Sequence, residues 1–340
     1  QKSKPTQQSV NLLKQRGIFP DIIIGRCSGF LTREVKAKIS NFCDVEPEAV
    51  ITGLDVEDIY EIPVIFEEEG LAEILHKKLN IYSPPDLRRW RQWIDNLRNP
   101  KKEITVAMCG KYTRLEDSYA SIIESFNHCS AHFGCKINLK WIETTDLKDT
   151  SFLDTVNGVV VPGGFGIRGT EGKIEIIRMA RERNIPFLGL CLGMQLAVIE
   201  FSRNVCHFKG ANSTEIDPDT PDPVIDILPE QKDIVEKGGT MRLGAYEAVL
   251  KEGTLVHSLY KSSSVSERHR HRYEVNPKYH TPITEKGMVF SGCSVDGRLV
   301  EFIELTHLKF FAATQAHPEL KSRMESPSPL FHGFVKACLD

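Results

Sequence analysis

Hydrophobic positions along the chain come in two rhythms. Short apolar runs, closed by glycine, proline or polar clusters, alternate with stretches in which apolar residues return every three or four positions. The first rhythm predicts strands buried on both faces, the second amphipathic helices. In the first hundred residues the pattern predicts helices over 6–16, 32–43, 55–60 and 67–79. Thr32 reads as an N-cap, and Pro63 is expected to stop the third helix. Strands are predicted over 21–25 and 49–52. A second series runs strand 104–108, helix 117–133, strands 137–142 and 156–161, helix 171–183, strand 187–190 and helix 194–205. This alternation predicts an α/β fold, a mostly parallel sheet flanked by helices with right-handed crossovers. Its ligand site should lie beyond the carboxyl ends of the strands. After residue 215 the chain turns to hairpins at Asp217-Pro218-Asp219, Lys237-Gly238-Gly239 and Val295-Asp296-Gly297. These flank short strands over 288–290 and 299–303, and a closing helix is expected over 327–337.

Between the two series, Tyr82-Ser83-Pro84-Pro85 and Asn99-Pro100-Lys101-Lys102 bracket a helix over 86–97 that carries Trp90 and Trp93. This stretch reads as a linker, dividing the chain into domains 1–97 and 98–340. The two tryptophans are expected to pack on a neighbouring domain. With 340 residues the chain is long enough for two cores. A 41% hydrophobic and 26% charged composition is that of a globular protein. A net charge of −3 gives no electrostatic case for nucleic acid or a membrane surface. No run approaches the ~18 apolar residues of a membrane span. The polar start Gln1-Lys2-Ser3-Lys4 has no apolar signal core. It also lacks an initiator methionine, so a piece of a longer protein is expected. Nine cysteines, none in a Cys-x-x-Cys pair, suggest neither a zinc site nor a redox motif. A reducing, cytoplasmic setting and no metal ligands are expected.

The candidate chemistry centres on Pro186-Phe187-Leu188-Gly189-Leu190-Cys191-Leu192-Gly193-Met194-Gln195. An apolar run enters, a cysteine sits between closely spaced glycines, and a helical pattern leaves. A strand–sharp turn–helix that presents a nucleophile reads this way. The N-terminus of the following helix favours a thiolate. A lone cysteine would more often be a small core residue, but two further stretches reverse those odds. Val159-Val160-Val161 ends in Pro162-Gly163-Gly164-Phe165-Gly166, whose backbone N–H groups can face a ligand. Gln315-Ala316-His317-Pro318-Glu319 follows an apolar run and places a carboxylate two residues after a histidine. His317 can take a thiol proton while Glu319 orients its ring.

These three stretches together resemble the class I glutamine amidotransferases, whose domain is flavodoxin-like. Lys4-Pro5-Thr6-Gln7, Ala211-Asn212-Ser213-Thr214-Glu215, Gly239-Thr240-Met241-Arg242-Leu243-Gly244 and Arg268-His269-Arg270-His271-Arg272-Tyr273-Glu274 narrow the resemblance to the CTP synthase family, over nearly the whole chain. The resemblance implies ATP-dependent amination of UTP to CTP with ammonia from glutamine. In it Cys191, His317 and Glu319 form the catalytic triad. An oxyanion would meet the N–H of Leu192 and that of Gly163 or Gly164. Gln195, Glu215 and Arg272, with the Gly164–Phe165 backbone, would hold the amino-acid end of glutamine. Lys2, Lys4, Thr6, Gln7 and Lys38 would contact the pyrimidine nucleotide, UTP or CTP, and Arg168 the activator GTP. ATP with Mg²⁺ would bind mostly outside this chain. No G-x-x-x-x-G-K-[ST] occurs, so the first domain is expected to be the last part of a Rossmann-like synthetase domain without its phosphate loop. The resemblance also implies a homo-oligomer, a tetramer or filament. Departures stand at Ala313-Thr314-Gln315-Ala316, small for the family, and at Leu320, where an aromatic is more usual. Two other readings stay open: a glutaminase serving a different amidotransferase, and a non-catalytic nucleotide-binding or assembly fragment.

Overall fold

The computed structural model describes residues 1–111, 116–227 and 242–340. The turn expected at Lys237-Gly238-Gly239, and Gly239-Thr240-Met241 of the family-like motif, lie outside them. The chain divides into two compact units, 1–95 and 96–340.

In the first unit two parallel strands, β1 (Ile23–Cys27) and β2 (Val50–Leu54), pair in register. Four helices accompany them: α1 (Lys4–Gln15), α2 (Arg33–Cys43), α3 (Ile62–Glu68) and α4 (Leu71–Leu79). Thr32 caps α2 by accepting from the Val35 N–H. Two small apolar clusters hold the unit, one of Val10, Ile23, Ile39, Cys43 and Val50, the other of Ala49, Ile51 and Ile74. The expectations around Pro63 need correction. Residues 55–58 are not helical, and Pro63 lies in the first turn of α3 rather than ending a helix. Proline fits there because the N–H it lacks would have had no intrahelical partner. The helix expected over 67–79 is broken at Gly70, whose φ of +81° lets the chain turn between α3 and α4.

A fifth helix, α5 (Arg88–Arg98), crosses the boundary between the units. The Trp90 indole N–H donates to the Tyr60 carbonyl at 2.7 Å, within the first unit.

The second unit is built on a nine-stranded sheet. Its parallel part uses β3 (Lys102–Gly110), β4 (Cys135–Glu143), β5 (Gly158–Val161), β6 (Phe187–Leu190) and, from near the end of the chain, β14 (Phe311–Thr314). Helices α6 (Ala120–Phe133), α7 (Thr170–Glu182) and α8 (Leu192–Asn204) join them. Beyond α8 come β7 (Ala211–Ser213), β8 (Asp222–Ile227), β9 (Arg242–Leu250), α9 (Leu255–Tyr260), β10 (Ser264–His271), β11 (Tyr273–Val275), α10 (His280–Glu285), β12 (Val289–Ser294) and β13 (Val300–Glu304). The chain closes with α11 (Pro329–Leu339). The strand order is β10-β9-β12-β13-β14-β6-β5-β3-β4, antiparallel from β10 to β14 and parallel from β14 to β4. A separate three-stranded sheet runs β11-β8-β7.

The alternation of strand side chains explains the unbroken apolar runs. Ala107, Cys109, Val159, Val161, Phe187, Phe311 and Ala313 face one core with residues of α7 and α8. Their neighbours Val106, Met108, Val160, Leu188, Leu190 and Ala312 face a second core with residues of α6 and α11. A strand buried on both sides has no polar position to show. The backbone also packs closely around α8. A Cβ on Gly193 would lie 2.1 Å from the Val161 carbonyl oxygen, and one on Gly189 would meet Ala313 Cβ at 2.8 Å.

The antiparallel half carries a buried polar layer instead. Arg242 of β9 lies 3.2 Å from Glu274 and 2.8 Å from Glu301, and all three are buried. His269 and His271 of β10 lie against them, with Nδ1 of each 3.5–3.6 Å from a carboxylate oxygen. Burial, only partly offset by Arg242 and reinforced by Glu301, pushes Glu274 up to about 8. Burial, with Arg242 adding its charge, pushes His269 down to about 3. Isolated buried charges would cost several kcal/mol each, so this layer is neutralised by shared protons as well as by ion pairing.

Two outcomes follow. Gly193→Ala gains about 1 kcal/mol of helix propensity but forces apart two backbones, at a cost of roughly 1–3 kcal/mol or more. The midpoint of urea unfolding should therefore fall. Glu274 holds a proton in the folded chain where the unfolded carboxyl has lost it, so its stabilisation is full below about 4.5 and declines as pH rises to about 8. Glu274→Gln should keep near-native stability at neutral pH and show a shallower decline across that window, read from urea unfolding at a series of pH values.

Candidate active site

Three segments leave the carboxyl ends of adjacent parallel strands. The glycine-rich segment 162–166 follows β5, Cys191 follows β6, and 315–319 follows β14. Cys191 adopts φ +50° and ψ −102°, a conformation that a residue with a Cβ rarely takes. The turn is held from both sides. The Cys191 N–H donates to the Thr314 carbonyl at 2.7 Å, and its own carbonyl accepts from Met194 and Gln195 in the first turn of α8. The sulfur therefore sits at the N-terminus of α8, where backbone N–H groups lack intrahelical acceptors.

His317 and Cys191 lie together under Gly163, and the ring's Nδ1 is 2.7 Å from Glu319 Oε1. Burial works against a charge on this ring. The bonds to Cys191 and Glu319, and the carboxylate charge, outweigh it and push the imidazole up to about 10. An imidazole between a carboxylate and a thiol can take the thiol's proton and keep it as an ion pair. The histidine segment is itself fastened to the edge of β10: the His317 N–H donates to the Arg268 carbonyl at 2.8 Å, and Lys321 Nζ reaches the Ser266 carbonyl. The unusual Ala316 is fully buried and Leu320 half exposed, and the His317–Glu319 contact forms with both in place.

Gly163 closes over this pair. A Cβ there would lie 2.9 Å from His317 Cε1 and 3.5 Å from Cys191 Cβ, so only glycine leaves room. Gly164 stands over Leu192, the first residue of α8, whose side chain a Cβ would meet at 3.4 Å. Cys191 is only 5% exposed, yet it lines a cavity of about 560 Å³. Gly163, Gly164, Phe165, Gln195, Glu215, Arg272 and His317 line it too, so the segments expected to share a site do meet. A cavity with a carboxylate, a guanidinium and a sulfur can take a small zwitterion with a reactive side chain. Glu215 accepts from the Gly166 N–H at 3.3 Å, which ties one wall to the glycine segment.

Other expected residues lie elsewhere. Arg168 donates to the Lys111 carbonyl at 3.1 Å, and Lys111 in turn bonds the Phe165 carbonyl and stacks over its ring. Lys2, Lys4 and Lys38 are exposed in the first unit, on or beside α1 and α2. Gln7 is buried and donates to Ser3 Oγ, so its amide is engaged within its own turn. The sequence reading missed Ser118, Tyr119, Arg270, His271 and Tyr273 as lining residues. It also missed Gln315, whose Nε2 lies 3.7 Å from the Cys191 sulfur. The basic run was a signal for Arg270 and His271. Nothing in the pattern alone marked Gln315.

The chain matches the family description "Glutamine amidotransferase class-I" over residues 114–337 and "CTP synthase N-terminus" over residues 1–81. It is 52% identical over 349 aligned residues to the CTP synthase of Methanococcus maripaludis, covering 100% of this chain and 65% of that one. To the CTP synthase of Archaeoglobus fulgidus it is 53% identical over 340 residues, covering 100% of this chain and 64% of that one. The chain thus spans about two thirds of these relatives' length, slightly under it. Among solved structures, the glutaminase domain of Trypanosoma brucei CTPS with bound acivicin is 34% identical, with a TM-score of 0.64, covering 69% of this chain and 93% of that one. Sequence, fold and the architecture around Cys191 agree: the chain belongs to the CTP synthase family, and carries a class I glutamine amidotransferase domain.

Proposed function

We propose that this chain releases ammonia from glutamine at Cys191 and, within a longer CTP synthase, supplies it for the amination of UTP. The observation that carries this reading is the contact of a strained, helix-capping cysteine with a His317–Glu319 pair inside a cavity lined by Glu215 and Arg272.

The steps follow from the chemistry of these groups. Glu215 takes the α-amino group and Arg272 the α-carboxylate of glutamine, with Gln195 and the Gly164–Phe165 backbone beside them. The Cys191 thiolate attacks the side-chain amide carbon, and His317 carries the thiol proton. The tetrahedral oxyanion meets the N–H of Leu192 and that of Gly163 or Gly164, each worth about 3–4 kcal/mol of barrier. His317 gives its proton to the nitrogen as the C–N bond breaks and ammonia leaves. His317 then takes a proton from water, hydroxide attacks the thioester carbon, and glutamate departs as the proton returns to sulfur. Glu319 keeps Nδ1 of His317 protonated, so that Nε2 does the transfer.

For the longer protein, residues 1–97 are read as the last part of the synthetase domain and 98–340 as the amidotransferase domain. Lys2, Lys4, Thr6, Gln7 and Lys38 contact UTP or CTP in that reading, and Arg168 contacts GTP as activator. ATP activates the UTP 4-oxygen, with Mg²⁺ accompanying it, in an assembly of several copies. Among the described residues no group of three or more His, Cys, Asp and Glu side chains is arranged to hold a metal ion. No described helix is long and apolar enough to cross a membrane.

Ammonia release from glutamine, with and without GTP, tests the reading. Release should rise with GTP and vanish in Cys191→Ala; a native chain that releases none would overturn it. Glu319→Gln should lower kcat roughly 10²-fold or more while leaving KM for glutamine nearly unchanged. An unchanged kcat there would remove Glu319 from the relay.

A further inference from the structure

Beneath the sulfur lies a line of side-chain amides whose orientations are fixed by groups that cannot reverse. Gln195 Nε2 lies 3.0 Å from the Tyr273 carbonyl oxygen and 3.2 Å from Gln315 Oε1. A backbone carbonyl only accepts, so the nitrogen end of Gln195 must face it. That same NH₂ has a second hydrogen, and it points to Gln315. Gln315 must therefore present its oxygen to Gln195 and its NH₂ to the other side, where the Cys191 sulfur lies 3.7 Å from Nε2. An Asn or Gln amide is oriented from its network rather than observed directly, and this network admits one orientation.

The imidazoles reinforce it. His271 Nδ1 lies 3.3 Å from the same Tyr273 carbonyl and 3.5 Å from Glu274 Oε1, so this nitrogen carries the hydrogen. His271 Nε2 is then an acceptor, and it receives Nδ1–H of His269 at 2.9 Å. Burial keeps both rings neutral, with the nearby Arg242 acting in the same sense. Gln315 is fully buried, and its backbone N–H is pinned to the Glu301 carbonyl at 2.9 Å. Its side-chain oxygen is engaged by Gln195, which holds the NH₂ end toward the sulfur.

We propose that Gln315 is a catalytic residue of this site, a fixed N–H donor that holds the Cys191 sulfur as thiolate and aims it into the cavity. The proposal rests on reading Cys191 as the nucleophile. The donor complements His317: the imidazole accepts and returns the proton, whereas the amide cannot accept it and only stabilises the charge left behind. It also links the sulfur to the wall that would hold glutamine, because Gln195 bonds Gln315 and lines the cavity at once. The charged or titratable groups around the sulfur are His317 with Glu319, Arg270, His271 and Arg272 from β10 and beyond, and Glu215 across the cavity. Tyr119 and Tyr273 line the same cavity.

The test is the pH dependence of iodoacetamide alkylation at Cys191, followed by mass spectrometry of its peptide, in the full chain and in Gln315→Met and Gln315→Glu. Losing the donor should raise the pH of half-maximal alkylation by about one unit in the Met variant, a tenfold change in thiol ionisation. The nearly isosteric Glu variant puts an acceptor against the sulfur and should move it further. Glutaminase kcat/KM should fall about tenfold near neutral pH in the Met variant and recover toward the native value as pH rises. If the alkylation midpoint of both folded variants coincides with that of the native chain, the proposal is overturned. The same holds if only KM for glutamine changes, since that is the mark of support for Gln195 alone. Should one variant fail to fold, as read by circular dichroism, the other decides. A native chain that alkylates normally but releases no ammonia would fault the glutaminase reading and leave the donor contact to stand on its midpoint shift.

Discussion

The second unit depends on one close approach. The backbone of α8 lies so near β5 that position 193 has no room for a Cβ against the Val161 carbonyl. This contact sets the start of the helix against the strand ends, and the turn at Cys191 is bent into a positive φ to meet it. Strain of this kind, of order 1–3 kcal/mol, persists only where the surroundings over-determine it. Here they do. The Cys191 amide is tied to β14, its carbonyl to α8, and Gly189 packs without a side chain against Ala313. The sulfur's position is thus a property of the whole parallel core rather than of a loop.

The rest of the site is assembled on that fixed point by strands from the far end of the chain. β14 pairs beside β6, so the residues after it arrive next to Cys191 without a long connection. β10 lends backbone carbonyls that hold the histidine segment in place. The buried layer of Arg242, Glu274 and Glu301 joins β9, β11 and β13 beneath it. Polar groups in such a layer add little net stability, because desolvation consumes most of their attraction. Their contribution is direction: each carboxylate and imidazole has few partners to choose from, and the cavity wall inherits that order.

Much of this was legible in the residues. Cys191 between glycines at the end of an apolar run, the cluster at Gly163 and Gly164, and the His317–Glu319 spacing each imposed a local geometry, and the structure brings them into one cavity. The alternation of strands and helices through residue 205 was also readable, since two-sided burial leaves an unambiguous apolar run. What was not legible came from long-range pairing. β10 carries too many charged and polar residues to read as a strand; its pairing with β9, not its propensity, makes it one. Pro63 was misread because a proline marks the start of a helix as readily as its end. The donor at Gln315 could not be found from spacing, because its orientation is decided by a carbonyl at Tyr273.

The alternation along β10 has a consequence for how this protein reaches its native state. Glu267, His269 and His271 point inward while Arg268 and Arg270 point outward. Sliding the strand one residue along β9 would exchange the two sets, driving guanidinium groups into the interior and stranding the acids and imidazoles in water. No such slipped pairing can be tolerated, and none could offer its carbonyls to His317 and Lys321 at the right height. The histidine segment is anchored on carbonyls that only this register of β10 presents, so the reactive centre and the pairing of a distant edge strand stand or fall together.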